Sequence, residues 1–597
     1  MCGIIGYIGD KPAQPMLLAG LARMEYRGYD SAGIATLHAG KLQVVKAKGK
    51  VAALVQKVGE STATVGIGHT RWATHGEPSE RNAHPHLAGK IAIVHNGIIE
   101  NYKELKDELA KKGAVFASDT DSEVLAHLIN SHYKGDLAKS VQQALRQVTG
   151  TFGLAVLSVD EPDKLVVARR GSPLLIGLSQ TATFVASDPA ALVGYVKDVI
   201  YLNDDELAVC TPGAAEVFDF DLHPKVQARE TLQMELEAIQ KQGYDHFLLK
   251  EIMEQPTSVE AVLRGRLLPE QGTSHLGGLN LSGDQIRATE RIVIIGCGTA
   301  YYAGLLGKYL IESLTHIPVD VEVASEFRYR DPVLSKNSVA LIISQSGETA
   351  DTLACVEELK RRGVHTLGLV NVVGSTIART VDGGIYLHAG PEISVASTKA
   401  FTNQVVAQML FALHVARQRD LSLADGKKVV AALERLPRDI AAALKTNREV
   451  AAAASQISHF KNAIYLGRNT LFPIALEGAL KLKEVSYVHA EAYAAGEVKH
   501  GPIALIDPDM LVVFLLGKGL LADKSYSNLE EIKARGGTVL MVTDTDAPDA
   551  LRVATHSPWT APLVMNVVLQ LLAYHIAVAC GRDVDQPRNL AKSVTVE

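Results

Sequence analysis

A chain of 597 residues is too long for one hydrophobic core, so several domains are expected. Hydrophobic residues make up 47% and charged residues 21%, the range of an ordinary globular protein. A net charge of −6, from 60 basic against 66 acidic residues, provides no basic footprint for nucleic acid or an anionic membrane surface.

No apolar stretch reads as a membrane span, and the first residues lack the basic segment and long apolar run of a secretory signal, so a cytoplasmic protein is expected. The five cysteines, Cys2, Cys210, Cys297, Cys355 and Cys580, are scattered and odd in number, with no CxxC pair. Neither a zinc site nor a disulfide framework follows, and a reducing compartment fits.

In chain order, the first two hundred residues read as short β segments with glycine-rich turns, such as "GIIGYIG", "IAIVHNG", "TFGLAVLSVD" and "KLVVARRG". Helical patterns interrupt them near 102–112 and 120–147, which predicts an α+β domain with antiparallel sheets. A charged helical stretch, "ARETLQMELEAIQKQGYDHFLLKEIMEQP", is expected to bridge to the second half. From about residue 285 apolar strands alternate with helices and the segments repeat. "RIVIIGCGTAYYAGLLGKYLIE" from Arg291 parallels "NAIYLGRNTLFPIALEGALKLKE" from Asn462, and "EELKRRGVHTLGLV" from Glu357 parallels "EEIKARGGTVLMVT" from Glu530. One α/β domain with a parallel sheet is therefore duplicated. Neither copy carries a full GxGxxG or a P-loop lysine.

Several of these segments carry chemistry. Cys2 directly follows Met1, and removal of that methionine would place a thiol and a free α-amine on one residue. Reference pKa values of about 7.7–8.0 and about 8.5 let the amine take the thiol proton near neutrality, the arrangement of a nucleophile with its own base. In "IVHNGIIENY", Asn96 offers a side-chain amide and Gly97 an unobstructed backbone N–H, the donors of an oxyanion hole, although Asn-Gly alone reads as a hairpin turn. Arg71, Trp72, Thr74 and His75 follow one another in "HTRWATHG", and Asp121 lies in "SDTDSEV". Arg71 is suited to a carboxylate and Asp121 to an ammonium, a combination that glutamine presents as its α-carboxylate and α-ammonium, with a terminal carboxamide besides. The histidines from His69 to His95 read as turn and surface residues rather than metal ligands.

In the first repeat, "SQSGET" ends a buried strand and opens a helix. Ser344, Gln345, Ser346 and Thr349 surround Gly347, which suits a phosphate at a helix N-terminus. The second repeat has lost this pattern, so one phosphate site is expected. In "ALEGALKLKEVSY", Glu477, Lys481 and Glu484 fall at i, i+4 and i+7 on one face of an otherwise apolar helix, pointing into a pocket.

"SQSGET" with "GCGTA" (Thr299) resembles the sugar-isomerase (SIS) phosphosugar-binding domain, with Ala300 where many members carry serine. Cys2-Gly3-Ile4, "EYRGYDSAG", "RWATHG", "HNGIIENY" and "SDTDSE" together resemble the class II glutamine amidotransferases, whose domain is an N-terminal-nucleophile (Ntn) hydrolase sandwich. The two joined are similar to the glutamine–fructose-6-phosphate aminotransferase family. The resemblance implies an amidotransferase domain over 2–218, a connection over 219–280, SIS domains over 281–422 and 450–587, and a tail over 588–597. It further implies glutamine hydrolysis at Cys2, a gate at Trp72, and transfer of ammonia to D-fructose 6-phosphate to give D-glucosamine 6-phosphate. Glu484 would move a proton between C1 and C2, and His500, contributed by a neighbouring subunit of a homodimer, would assist ring opening. Lys592 would form a Schiff base, and the Val395 backbone would contact the sugar beside Thr299 and Lys481. No metal, pyridoxal phosphate or nicotinamide cofactor is called for. Other acceptors for the nitrogen, and a regulatory phosphosugar-binding protein with a silent front half, are the alternatives.

Overall fold

The computed structural model describes residues 2–73, 76–232 and 240–595. The chain forms two compact units, Met1–Gln240 with Ala591–Glu597, and Lys241–Leu590.

The first unit is built on two antiparallel sheets. One holds eight strands, with Gly3–Ile8 near its centre between Val65–Arg71 and Thr183–Ala186. The other holds seven, with Ile91–Ile99 between His86–Ala88 and Gly150–Ser158. Strand Gly3–Ile8 is buried at every position and shows how the layers arise. Successive side chains leave a strand on opposite faces. Ile4 and Ile8 enter a core shared with Ala92, Val94 and Ala155 of the second sheet, while Ile5 and Tyr7 pack with Leu17 and Leu21 of helix Ala13–Arg23. Helices Tyr102–Lys111, Asp121–His132 and Leu137–Leu145 cover the far side of the second sheet through Leu105, Leu109, Leu125 and Ile129. The result is a helix–sheet–sheet–helix sandwich, as the α+β reading anticipates.

The bridging segment departs from expectation. Glu230–Thr231 is a short strand paired with Asp198–Tyr201, residues 233–239 lie outside the described set, and among the described residues of this stretch the first helix is Phe247–Met253.

The second unit contains two five-stranded parallel sheets of identical order. In sequence numbering within each sheet that order is 2-1-3-4-5: Val319–Val323, Arg291–Gly296, Ser338–Ser344, His365–Val370 and Gly383–Tyr386, then His489–Ala494, Asn462–Gly467, Met510–Leu516, Thr538–Thr543 and Ala550–Arg552. In such sheets the strand order reverses between the first strand and its neighbours, opening a crevice at their C-terminal ends where ligands sit. Helix Ala561–Ala579 corrects the statement that no segment is long and apolar enough to span a bilayer. Most of it is buried inside this unit, against helix Leu471–Ser486, so it serves as a core helix.

Candidate active sites

Cys2 sits at the start of the central strand, where Gly3 pairs with Thr70. Its sulfur accepts the Trp72 N–H at 3.3 Å and lies 3.6 Å from the Trp72 carbonyl. Gly3 is required there, because a Cβ would fall 2.7 Å from Thr70 Oγ1. The second sheet brings Asn96 up to Cys2, and Asn96 Nδ2 donates to the Cys2 carbonyl at 3.0 Å. Gly97 follows with φ +134°, and a side chain there would place Cβ 2.1 Å from the Thr151 carbonyl oxygen. Only glycine fits that approach.

Arg71 is buried at the end of strand Val65–Arg71, its guanidinium donating to the carbonyls of Gly76 at 3.1 Å and Glu77 at 3.4 Å. Burial draws its pKa down, while Cys2, Asp30 and Asp121 draw it up, which places these groups within electrostatic reach. Asp121 opens helix Asp121–His132, with one oxygen accepting the Ile99 N–H at 2.9 Å and the other the Ser122 hydroxyl at 3.3 Å. Thr74 and His75 lie outside the described residues.

The histidine expectation needs correction. His69, His84, His86 and His95 are all buried, with the His69 and His84 rings stacked at 4.0 Å and His86 edge-on to His84 at 4.4 Å. Burial pushes His69 down to about 3 and His84 and His86 well below their ordinary value, so these rings are neutral. Among the described residues, the one cluster with metal-ligand spacing is Asp219, Asp221 and His223 on an exposed turn. Asp219 there already accepts two backbone N–H groups at 2.9 Å and pairs with Lys225 at 3.4 Å, which satisfies its charge.

In the second unit, the crevice of the first sheet holds both predicted loops. Strand Arg291–Gly296 leads through Cys297 to Gly298, at φ +54°, and Thr299 opens helix Thr299–Thr315. The neighbouring strand Ser338–Ser344 runs into the serine-rich loop. There the Ser344 hydroxyl accepts the Gly347 N–H at 3.0 Å, and Ser346 accepts that of Glu348 at 3.2 Å. Gly347 has φ +66°, and a Cβ on it would collide with Ser375 Oγ at 2.0 Å. Glu348 ties the loop down by accepting the Thr376 N–H at 2.8 Å, and the Gln345 carbonyl accepts the Asn371 N–H at 3.2 Å. Thr349 then stands at the N-cap position of helix Ala350–Arg361, its side chain making no cap hydrogen bond, and the first N–H groups of the helix face the loop with the positive end of the helix dipole. At the matching loop of the second sheet the Lys518 N–H is taken by Asp544 at 2.8 Å, a carboxylate in the place an anion would need.

Helix Leu471–Ser486 aims its charged stripe inward. Glu477 is fully buried and Lys481 nearly so, while the Glu484 side chain is 20% exposed. Lys481 Nζ lies 2.6 Å from Glu484, 3.4 Å from Glu477 and 3.0 Å from Thr299 Oγ1, and Thr299 donates to Glu477 at 3.2 Å. Thr299 and Glu477 are 178 residues apart, so both repeats build this site. Two carboxylates share one ammonium. Burial, with Glu484 adding, raises the Glu477 carboxyl to about 8, Lys481 opposing. Burial lowers Lys481, but the two carboxylates outweigh it and hold the ammonium above its ordinary value.

A pH dependence follows. The folded state keeps the Glu477 proton up to about pH 8, whereas an unfolded glutamate releases it near 4.5. Its contribution is therefore fully present below 4.5 and is lost as pH rises toward 8. Thermal unfolding of Glu477→Gln compared with the parent checks this: the variant should gain in relative stability between pH 5 and pH 8, and a flat difference would contradict the assignment.

Val395 is buried, its N–H donating to the Asp585 carbonyl at 3.1 Å. His500 is exposed on the turn Ala495–His500, and no hydrogen bond joins it to the Glu477 group among the described residues. Lys592 is half-buried and groups with the first unit. Sequence reasoning gave no task to Glu477, Glu348 or His69. The shared helical face was the available signal for Glu477 and the "SQSGET" motif that for Glu348, while nothing local marks His69.

Comparison with known proteins gives a consistent family. A glutamine amidotransferase domain model matches residues 69–194, and a SIS domain model matches 285–414 and 456–579. The chain is 49% identical to glutamine–fructose-6-phosphate aminotransferase (isomerizing) of Chlorobaculum tepidum, over 100% of both chains, and 47% identical to that of Methanosarcina acetivorans, also over 100% of both. The solved C-terminal domain of glucosamine-fructose-6-phosphate aminotransferase from Francisella tularensis is 40% identical, with a TM-score of 0.56 over 58% of this chain and 100% of that one. With a full-length identity of this size, a duplicated SIS half and an amidotransferase domain ahead of it, the chain belongs to the glutamine–fructose-6-phosphate aminotransferase (isomerizing) family.

Proposed function

We propose that the chain converts D-fructose 6-phosphate and L-glutamine into D-glucosamine 6-phosphate and L-glutamate, the entry step of amino-sugar synthesis. The observation that supports this best is the coexistence, in one polypeptide, of a Cys2–Asn96 contact at a strand end and a Thr299–Glu477–Lys481–Glu484 cluster beside a hydroxyl-rich helix start.

In this reading, removal of Met1 frees the Cys2 amine, which takes the thiol proton so that sulfur attacks the glutamine carboxamide. The oxyanion is met by Asn96 Nδ2 and the Gly97 N–H. Arg71 holds the substrate carboxylate and Asp121 its ammonium, and the family resemblance assigns Trp72, Thr74 and His75 to glutamine binding as well. Free ammonia is largely protonated at neutral pH, so its passage to the sugar inside the protein preserves the nucleophile.

The sugar phosphate sits against Ser344, Gln345, Ser346 and Thr349, with Thr299, Val395 and Lys481 along the sugar. Lys592 forms a Schiff base with the opened ketose, Glu484 carries the proton between C1 and C2, and His500 of a second copy assists ring opening in a homodimer. Ala300 supplies no hydroxyl, so recognition rests on Thr299 and the serine loop. The enzyme works in the cytoplasm, without a nucleic-acid or membrane partner.

The test is direct: incubate with glutamine and fructose 6-phosphate and detect amino sugar, with other phosphorylated ketoses and aldoses as controls. Amino sugar formed equally well from a pentose phosphate would move the reading to a different acceptor. Ser346→Ala should raise the KM for fructose 6-phosphate about tenfold, the scale of one lost hydrogen bond to a charged group, and leave the KM for glutamine unchanged. A change confined to glutamine would show the two halves exchanged.

A further inference from the structure

The buried histidines of the first unit take no part in the chemistry above, yet one of them touches Asn96. His69 Nε2 lies 3.0 Å from Asn96 Oδ1 and 3.1 Å from the His95 carbonyl oxygen. Both neighbours are acceptors, so Nε2 must carry the hydrogen. The ring is fully buried and its second nitrogen, Nδ1, faces no hydrogen-bond partner among the described residues, which leaves Nδ1 as the bare nitrogen of a neutral imidazole. The stacked neighbour fits the same arrangement, since His84 Nδ1 accepts the His95 N–H at 3.3 Å and the His84 ring packs flat on His69 at 24°.

An asparagine amide has two nearly isosteric ends, and only its hydrogen-bond partners decide which end points where. Donation from His69 into Oδ1 forces Nδ2 to the opposite side, where it donates to the Cys2 carbonyl at 3.0 Å. If the amide turned over, the Nε2–H of His69 would meet an NH2 group, and the Cys2 carbonyl would meet an oxygen. We infer that His69 is a positioning residue for glutamine hydrolysis, its Nε2–H fixing the Asn96 amide with Nδ2 toward Cys2. The inference rests on the oxyanion role proposed for Asn96.

Because His69 acts through Asn96 and not on glutamine, its loss should appear in kcat and not in KM. For His69→Leu, kcat for glutamine hydrolysis by the full chain should fall about ten- to a hundredfold, the scale of leaving one buried acceptor unmet, with KM for glutamine within threefold. His69→Gln, whose amide nitrogen lies near the imidazole Nε2 position, should recover most of that loss, whereas His69→Asn, one bond shorter, should not.

A double-mutant cycle separates positioning from packing. In an Asn96→Ala background, His69→Leu should cost no more than a further twofold, because the group it orients is gone. An equal loss in both backgrounds, or a loss that appears in KM alone, would overturn the inference. Should His69→Leu fail to fold, the His69→Gln and His69→Asn pair carries the test, with equal activity of the two counting against it. If Asn96→Ala itself leaves hydrolysis intact, the oxyanion reading fails. If Asn96→Ala is severe and the His69 variants are silent, only the positioning role fails.

Discussion

Cys2→Ala should lower glutamine-dependent amino-sugar formation by about 10^4-fold or more, the scale seen when a covalent nucleophile is removed. The substitution shortens the side chain by one atom at a half-buried position, losing the Trp72 N–H contact to sulfur at 3.3 Å and little packing. The Asn96 contact is to the Cys2 carbonyl and survives the change. Fold and sugar binding should therefore persist, which circular dichroism and fructose 6-phosphate titration would check. Ammonium salt supplied at raised pH, where more of it is free NH3, should restore part of the synthesis. Material that retains Met1, identified by intact mass, should behave like Cys2→Ala, because its amine is locked in a peptide bond. Full glutamine-driven activity in either preparation would remove the thiol and its own amine from the mechanism.

Much of this architecture is readable in the residues because local pattern and tertiary role agree there. The duplicated strand–glycine–helix segments at Arg291 and Asn462 become the first strands of two sheets with the same order. The Glu477, Lys481 and Glu484 spacing does place all three on one helical face. What stays hidden depends on contacts across long separations. Strand Val65–Arg71 is buried on both faces, so its alternation cannot say that His69 points into a core, and the histidine-rich run reads as surface. Helix Ala561–Ala579 is apolar all round because other helices enclose it, and composition alone does not separate that from a lipid environment. The stretch around Glu230 looks helical by its charge pattern, yet pairing with Asp198–Tyr201 overrides propensity there. The bond from Thr299 to Glu477 has no local signal, since it exists only once the two repeats have packed.

The second large effect is expected at Glu484. Of the two carboxylates on Lys481, Glu484 makes the closer pair, at 2.6 Å, and its side chain is the one partly exposed to the crevice. A base that moves a proton between adjacent carbons must be reachable, and Glu484 is partly exposed, whereas Glu477 is sealed and retains its proton. Glu484→Gln keeps the shape and removes the proton acceptor, so kcat for amino-sugar synthesis should fall about 100- to 10,000-fold with the KM for fructose 6-phosphate little changed. The fold should tolerate the change. With Glu484 neutral, the Lys481 ammonium is left with Glu477 alone at 3.4 Å, which lets Glu477 ionise and restores one carboxylate per cation in the buried site. Glutamate release from glutamine should continue, so the variant should hydrolyse glutamine without aminating sugar. Synthesis within threefold of the parent would assign the proton transfer elsewhere, and simultaneous loss of both activities would mean that the substitution had damaged the fold.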